Sequence, residues 1–292
     1  MKRRVAEKKM LMFLVVVITA IAFTQKTGAT ILLGTTGTGG DISTLVEIDP
    51  TTGVLIHTIG SIGYAVNGLK YDATNGKLYG STSINDPLYN GLIEIDAITG
   101  AGTPIGVHQW GLVSMYTAVN NITINSTGQM YGWWEPAQDD LVSINKNTGI
   151  ATLVGEASIN TAEEGMAFDE CDVLYLVNNN GKVYTVDTGT GVATYINNIG
   201  ATAHHGDFDF SSGLYYGITT AQTNPKSLVV VDLATGSVVS TLPTVDNLHT
   251  LTFSGYEPIP PEPIPEPTTI ILMGFGLVGL LGVVIRQRLK SK

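Results

Sequence analysis

Cysteine is nearly missing from this chain: Cys171 is the one thiol in 292 residues, so no internal disulfide can staple the fold. Cationic side chains are almost as scarce through the middle. Residues 30–256 hold five lysines and no arginine against 21 aspartates and glutamates, a formal −16 in a chain whose total is −10. Such a surface repels phosphate backbones, which excludes nucleic acid as a partner. The acidity suits Ca²⁺ or other cations, although by itself it speaks only to solubility. There is no G-x-S-x-G, so the sequence offers no assembled Ser-His-Asp nucleophile. Helix-forming runs are wanting, while Gly, Thr and Asn abound, which points to short strands and tight turns.

Long apolar runs occur only at the ends. Lys2, Arg3, Arg4, Lys8 and Lys9 precede an apolar run from Leu11 to Phe23 and the small residues Thr27-Gly28-Ala29. Residues 1–29 therefore read as a secretory signal peptide, its apolar part helical, with cleavage after Ala29; the alternative is an uncleaved anchor. At the other end, residues 257–267 alternate Pro with Glu and Ile, giving an extended spacer. Residues 268–285 carry no charge, and eighteen residues at about 1.5 Å each span roughly 27 Å, enough for a transmembrane helix. Arg286, Arg288, Lys290 and Lys292 follow, so residues 286–292 form a cytoplasmic tail and residues 30–256 lie outside the inner membrane. The string Gly274-Phe275-Gly276-Leu277-Val278-Gly279 fits a dinucleotide fingerprint, but it lacks the preceding strand and downstream acid that motif needs.

The order Pro265-Glu266-Pro267, apolar span, basic cluster resembles the PEP-CTERM sorting signal. That resemblance implies an exosortase that recognises Pro265-Glu266-Pro267 and removes the anchor, leaving the protein at the cell surface or outside the cell. Many members have Val where this chain has Ile264, and Pro261-Glu262-Pro263 is a second copy. The alternative is a permanent single-span anchor. The resemblance also implies a Gram-negative source that makes extracellular polysaccharide, and so a glycan or another surface protein as partner.

The middle of the chain is periodic. Leu45–Asp49, Leu92–Asp96, Leu141–Asn145, Val183–Asp187 and Leu228–Asp232 each end in Asp or Asn with Gly four residues on, at Gly53, Gly100, Gly149, Gly191 and Gly236. Successive Asp/Asn positions are 47, 49, 42 and 45 residues apart. The Asp or Asn opens a turn and Gly closes it with positive φ. A second pair of strands interleaves, as in Gly68–Asp72 with Lys77–Gly80 or Gly165–Asp169 with Leu174–Leu176. Four strands in roughly 45 residues is the period of a propeller blade.

The array begins with only three strands of a blade (Ile31–Gly34, Leu45–Asp49, Val54–Ile59) and ends with only one, Leu251–Phe253. Joined, they complete one sheet and close the ring, hiding edges that would otherwise template aggregation. The expectation is an all-β, five-bladed propeller closed by N- and C-terminal strands in one blade. Its layout resembles lactonase-like and YVTN-type surface propellers, a likeness that transfers no site. The rival architecture is an open β-solenoid, whose ends would need caps rather than complementary halves.

Loops entering the innermost strands should gather at one channel mouth. They carry Asn67, Asn120, Glu163, Glu164, His204, His205 and His249, with Asn247 and Gly206 adjacent. Such residues can ligate Ca²⁺ through oxygens or a transition metal through imidazole, or act as acid and base. Being consecutive, His204 and His205 are expected to face opposite sides of a strand. Trp110, Trp133 and Trp134 fall in one repeat beside Glu135, and exposed indoles there would stack on sugars; the competing reading packs them between blades. The acidic turn Asp169-Glu170-Cys171-Asp172 can hold a cation or simply be a polar turn. Two functions follow: a non-enzymatic surface or extracellular-matrix binding scaffold that recognises polysaccharide, or a metal-dependent periplasmic or surface hydrolase or lactonase using Glu163, Glu164, His204, His205 and His249.

Overall fold

A computed structural model describes residues 30–37, 39–109, 119–134, 139–161, 164–219 and 226–255. The chain divides into two units, Met1–Tyr256 and Glu257–Lys292. The expected signal peptide, spacer, span and tail lie outside the described residues. Among those described, no helix is long and apolar enough to cross a membrane.

Twenty strands are described, in five four-stranded antiparallel sheets. Blade I contains β1 (Ile31–Thr36), β2 (Thr44–Ile48) and β3 (Leu55–Ser61). Blade II is β4 (Val66–Asp72), β5 (Lys77–Thr82), β6 (Gly91–Ile95) and β7 (Gly102–Val107). Blade III is β8 (Val119–Ile124), β9 (Met130–Trp134), β10 (Asp140–Ile144) and β11 (Ala151–Glu156). Blade IV is β12 (Gly165–Phe168), β13 (Leu174–Val177), β14 (Lys182–Val186) and β15 (Ala193–Asn198). Blade V is β16 (His204–Asp209), β17 (Leu214–Ile218), β18 (Ser227–Asp232) and β19 (Ser237–Pro243).

The last strand, β20 (Leu248–Ser254), pairs with β1 and completes blade I, as Leu33↔Thr252 and Gly34↔Leu251 show. The inner strands then follow one another as β20, β4, β8, β12, β16 and back to β20. The ring is closed, and the expected architecture holds.

Period-2 alternation alone would bury one face of each strand. Here the inner three strands of each blade are buried on both faces because another blade lies on either side, whereas the outermost strands are largely exposed. The apolar core is accordingly five clusters, one at each seam. Leu33 and Leu45 of blade I meet Leu69 and Ile93 of blade II, and Ile218 and Leu228 of blade V meet Leu32 and Leu251 of blade I. Aromatic pairs repeat across three seams: Tyr131 with Phe168, Tyr175 with Phe208 and Tyr216 with Phe253, at centroid distances of 5.6, 5.4 and 5.0 Å. Each such tilted pair adds about 0.5–1.5 kcal/mol beyond area burial.

The Asp/Asn-to-Gly turns form as expected, for example Gly149 N donating to Asn145 O at 2.8 Å with Gly149 at φ 73. Glycine serves a second purpose there, since the turn abuts Gly106 of the preceding blade's outer strand with no room for a Cβ on either residue.

Candidate functional site

Five loops deliver the chain into the inner strands at one end of the ring, the inlet mouth. Asn67 Nδ2 donates to Asn120 Oδ1 there at 3.3 Å. Asn121 Nδ2 donates to the backbone oxygen of Glu164 at 3.2 Å and lies 3.5 Å from His205 Nδ1. The rings of His204 and His205 are 4.7 Å apart, and those of His205 and His249 are 5.0 Å apart. Asn67, Asn120, Glu164, His204, His205 and His249 therefore do come together, while Glu163 lies outside the described residues.

The expectation that His204 and His205 face apart is wrong, and the backbone explains why. His205 adopts φ 50, and the register of β16 against β17 shifts between His204 and Asp207. That left-handed residue, costing about 1–2 kcal/mol for an L side chain, breaks the alternation and sets the two imidazoles edge to face.

His204 and His205 are buried, at 3 % and 5 % exposure, and His249 is half-buried. Burial is the main cause of their lowered pKa values. His204 falls to about 3, with His249 and Lys226 adding; His205 falls well below 6.5, helped by its histidine neighbours; His249 falls to about 4 beside Lys226. They are neutral at pH 7. Both nitrogens of His204 and Nδ1 of His249 make no hydrogen bond among the described residues. Nor is any group of three or more His, Cys, Asp or Glu side chains among those residues disposed to hold a metal ion.

One layer further in, Lys70 on β4 reaches across to Asp207 on β16, Nζ to Oδ1, at 2.5 Å. The other oxygen of Asp207 accepts from Thr252 Oγ1 at 2.8 Å and Phe253 N at 3.1 Å. These bonds join side chains of three inner strands, β4, β16 and β20.

At the outlet mouth, where the inner strands end, lies a cavity of 390 Å³. Lys70 and Asp207 are among its buried lining residues, with Phe168, Phe208 and Phe253 from three neighbouring inner strands. Phe210 stands 54 % exposed, and Asp169, Glu170 and Asp172 lie around the same cavity. Asp172 accepts from Ser126 N at 2.8 Å and Ser126 Oγ at 2.5 Å, and Asp169 accepts from Cys171 N and Val173 N. The acidic turn singled out in the sequence is therefore part of this cup, with the carboxylates of Asp169 and Asp172 held in place by hydrogen bonds.

Trp133 and Trp134, the two described tryptophans, do not make an exposed platform. Trp133 is fully buried, packed with Met166 and Leu176 of the next blade, and its Nε1 donates to Thr161 Oγ1 at 3.2 Å. The corresponding position one blade earlier, Ser81, points into the same kind of seam and meets His108 Nε2 at 3.0 Å. An indole in a seam buries far more surface than one left in water, so packing wins there. Trp134 is half-buried against the preceding seam. Trp110 and Glu135 lie outside the described residues.

Lys70, Asp207 and Phe210 were not among the sequence candidates. Lys70 and Asp207 hold equivalent inward positions of two repeats, one residue before Tyr71 and Phe208. A lysine and an aspartate at a position that is Ala167 in another blade are the legible trace of the pair.

Residues 263–288 match the PEP-CTERM protein-sorting motif. The chain carries a PEP-CTERM sorting signal. The signal implies an exported, membrane-anchored substrate that an exosortase processes, and here it follows a propeller domain. Pro265, Glu266 and Pro267 fall within the matched residues, though outside those described. No curated protein matches the chain. Among solved structures it is similar to a protein of unknown function from Bacteroides caccae, with 13 % identity over 77 % of this chain and 98 % of that one and a TM-score of 0.39. A second similar structure, from Bacteroides thetaiotaomicron, shares 15 % identity over 61 % and 51 % of the two chains at a TM-score of 0.44. TolB from Acinetobacter baumannii shares 12 % identity over 75 % and 55 % at a TM-score of 0.49.

Proposed function

We propose that this protein is a non-enzymatic binding scaffold that acts outside the cell and recognises polysaccharide through one mouth of its propeller. In this reading the span 268–285 holds the newly exported chain in the inner membrane with the propeller in the periplasm. An exosortase then reads Pro265-Glu266-Pro267 and passes the protein to the cell surface or extracellular matrix.

The observation that carries the binding role is the outlet cup: 390 Å³, with apolar aromatic walls and a few fixed polar groups. Its size and lining are those of ligand sites generally. The rival reading, a metal-dependent hydrolase at the inlet mouth, has weaker support. His204 and His205 are buried and His249 is half-buried, and the described residues offer no converging ligand set.

Two experiments test the proposal. Glu266→Ala in the full chain should leave the unprocessed protein in the membrane fraction; normal release would show that an exosortase does not read that copy. A glycan panel probed with the purified full-length protein should give binding that survives chelation. Absence of any glycan binding would overturn the polysaccharide role.

A further inference from the structure

We infer that the outlet cup is the sugar subsite of this scaffold, and that it takes a neutral, hydroxyl-rich sugar residue while rejecting uronic acids and other anionic sugars. The inference rests on the glycan-binding reading and adds the site and its selectivity.

The first argument is charge. Lys70 is the one cationic lining residue among those described, and Asp207 already compensates it at 2.5 Å. What remains around the cavity is Asp169, Glu170 and Asp172, three carboxylates with no counter-charge among the described lining residues. A sugar carboxylate or sulfate would meet like charge at close range, an arrangement that binding sites use to refuse a partner.

The second argument is hydrogen-bond capacity. An ammonium carries three donors, and the single hydrogen-bond partner of Lys70 among the described residues is Asp207. Its side chain is only 9 % exposed and lines the cavity, so its remaining donors suit a hydroxyl or ring oxygen at the deep end. At the rim the carboxylates of Asp169 and Asp172 are pinned by backbone and serine donors yet keep free lone pairs. They suit hydroxyl donors. A ligand bearing both acceptors and donors, and no net charge, satisfies both ends.

The third argument is the wall. Phe210 is more than half exposed and the half-buried Tyr71 lines the same cavity, so an apolar ring face is available beside the polar groups. A pyranose presents that combination: C–H groups on one face and hydroxyls at its edge.

The test uses isothermal titration of the full-length protein with neutral oligosaccharides and with oligouronates of equal length, repeated on Phe210→Ala. Phe210 is exposed, so its truncation leaves the seams intact, which a melting curve can verify. The expected result is binding of the neutral sugars, no measurable binding of the uronates, and a loss of about tenfold in affinity for Phe210→Ala. Equal or better binding of uronates, or unchanged affinity in Phe210→Ala, would overturn the inference while leaving the glycan-binding role intact. Failure of the wild type to bind either sugar class overturns both. A preference for simple alkylamines over sugars would show instead that the acidic rim serves an organic cation, and would also overturn it.

Discussion

Lys70 and Asp207, 137 residues apart in sequence, form an ion pair that links the inner strands of blades II and V, which flank that of blade I. Both are buried, and Asp207 also accepts from Thr252 and two backbone amides, so the pair ties three inner strands together. Its geometry makes breaking it costlier than never having made it.

Removing one partner leaves a buried charge uncompensated. Asp207→Leu should therefore destabilise by about 3–5 kcal/mol in urea unfolding, and Lys70→Met/Asp207→Leu together should be less damaging than Asp207→Leu alone. Strict additivity would show that the pair carries no coupling.

The inlet histidines predict acid sensitivity. Their folded pKa values are depressed, to about 3 for His204 and about 4 for His249, while in the unfolded chain they return to about 6.5. The unfolded state thus binds protons first as pH falls. Stability contributed by the neutral rings is complete above pH 6.5 and drains away between 6.5 and about 3–4. Unfolding free energy measured from pH 7.5 to 4.5 should fall, and His249→Gln should flatten that fall. An identical slope in the variant would refute the assignment.

Ring closure can be probed at a single seam. Leu32 on β1 and Leu251 on β20 are both buried in the cluster that joins blade V to blade I. Each Leu→Ala change should cost about 2–5 kcal/mol. A double-mutant cycle should show a coupling energy, because the two share one cavity. Independent effects would argue against joint packing.

The outer seams depend on paired glycines. A Cβ on Gly106 would run into the backbone oxygen of Thr148, so Gly106→Ala should cost about 1–3 kcal/mol by overpacking. At Gly189 an added Cβ would meet only Asp187 Oδ1, at 3.4 Å, which provides the control: Gly189→Ala should stay within about 0.5 kcal/mol of wild type. Comparable losses at both sites would dismiss the seam argument.

Local patterning determined the blades. Each Asp/Asn-to-Gly turn recurs at a near-constant step because one strand pair, one turn and one register satisfy backbone hydrogen bonds within about 45 residues. The unequal ends, three strands before and one after, specified closure, since a sheet edge left open is a liability. The sorting tail was equally legible, because its parts act in linear order.

What the tertiary structure decided lies where distant residues meet. Trp133 is buried because blade IV covers it, which nothing local to its own strand announces. His204 and His205 share a cluster because one φ turned positive, a choice that alternation does not anticipate. Lys70 found Asp207, and the acidic turn joined an aromatic cup, only once five inner strands had been drawn into a circle. Short-range hydrogen bonding and hydrophobic period are encoded in neighbours along the chain; side chains that meet between blades depend on every blade being in place.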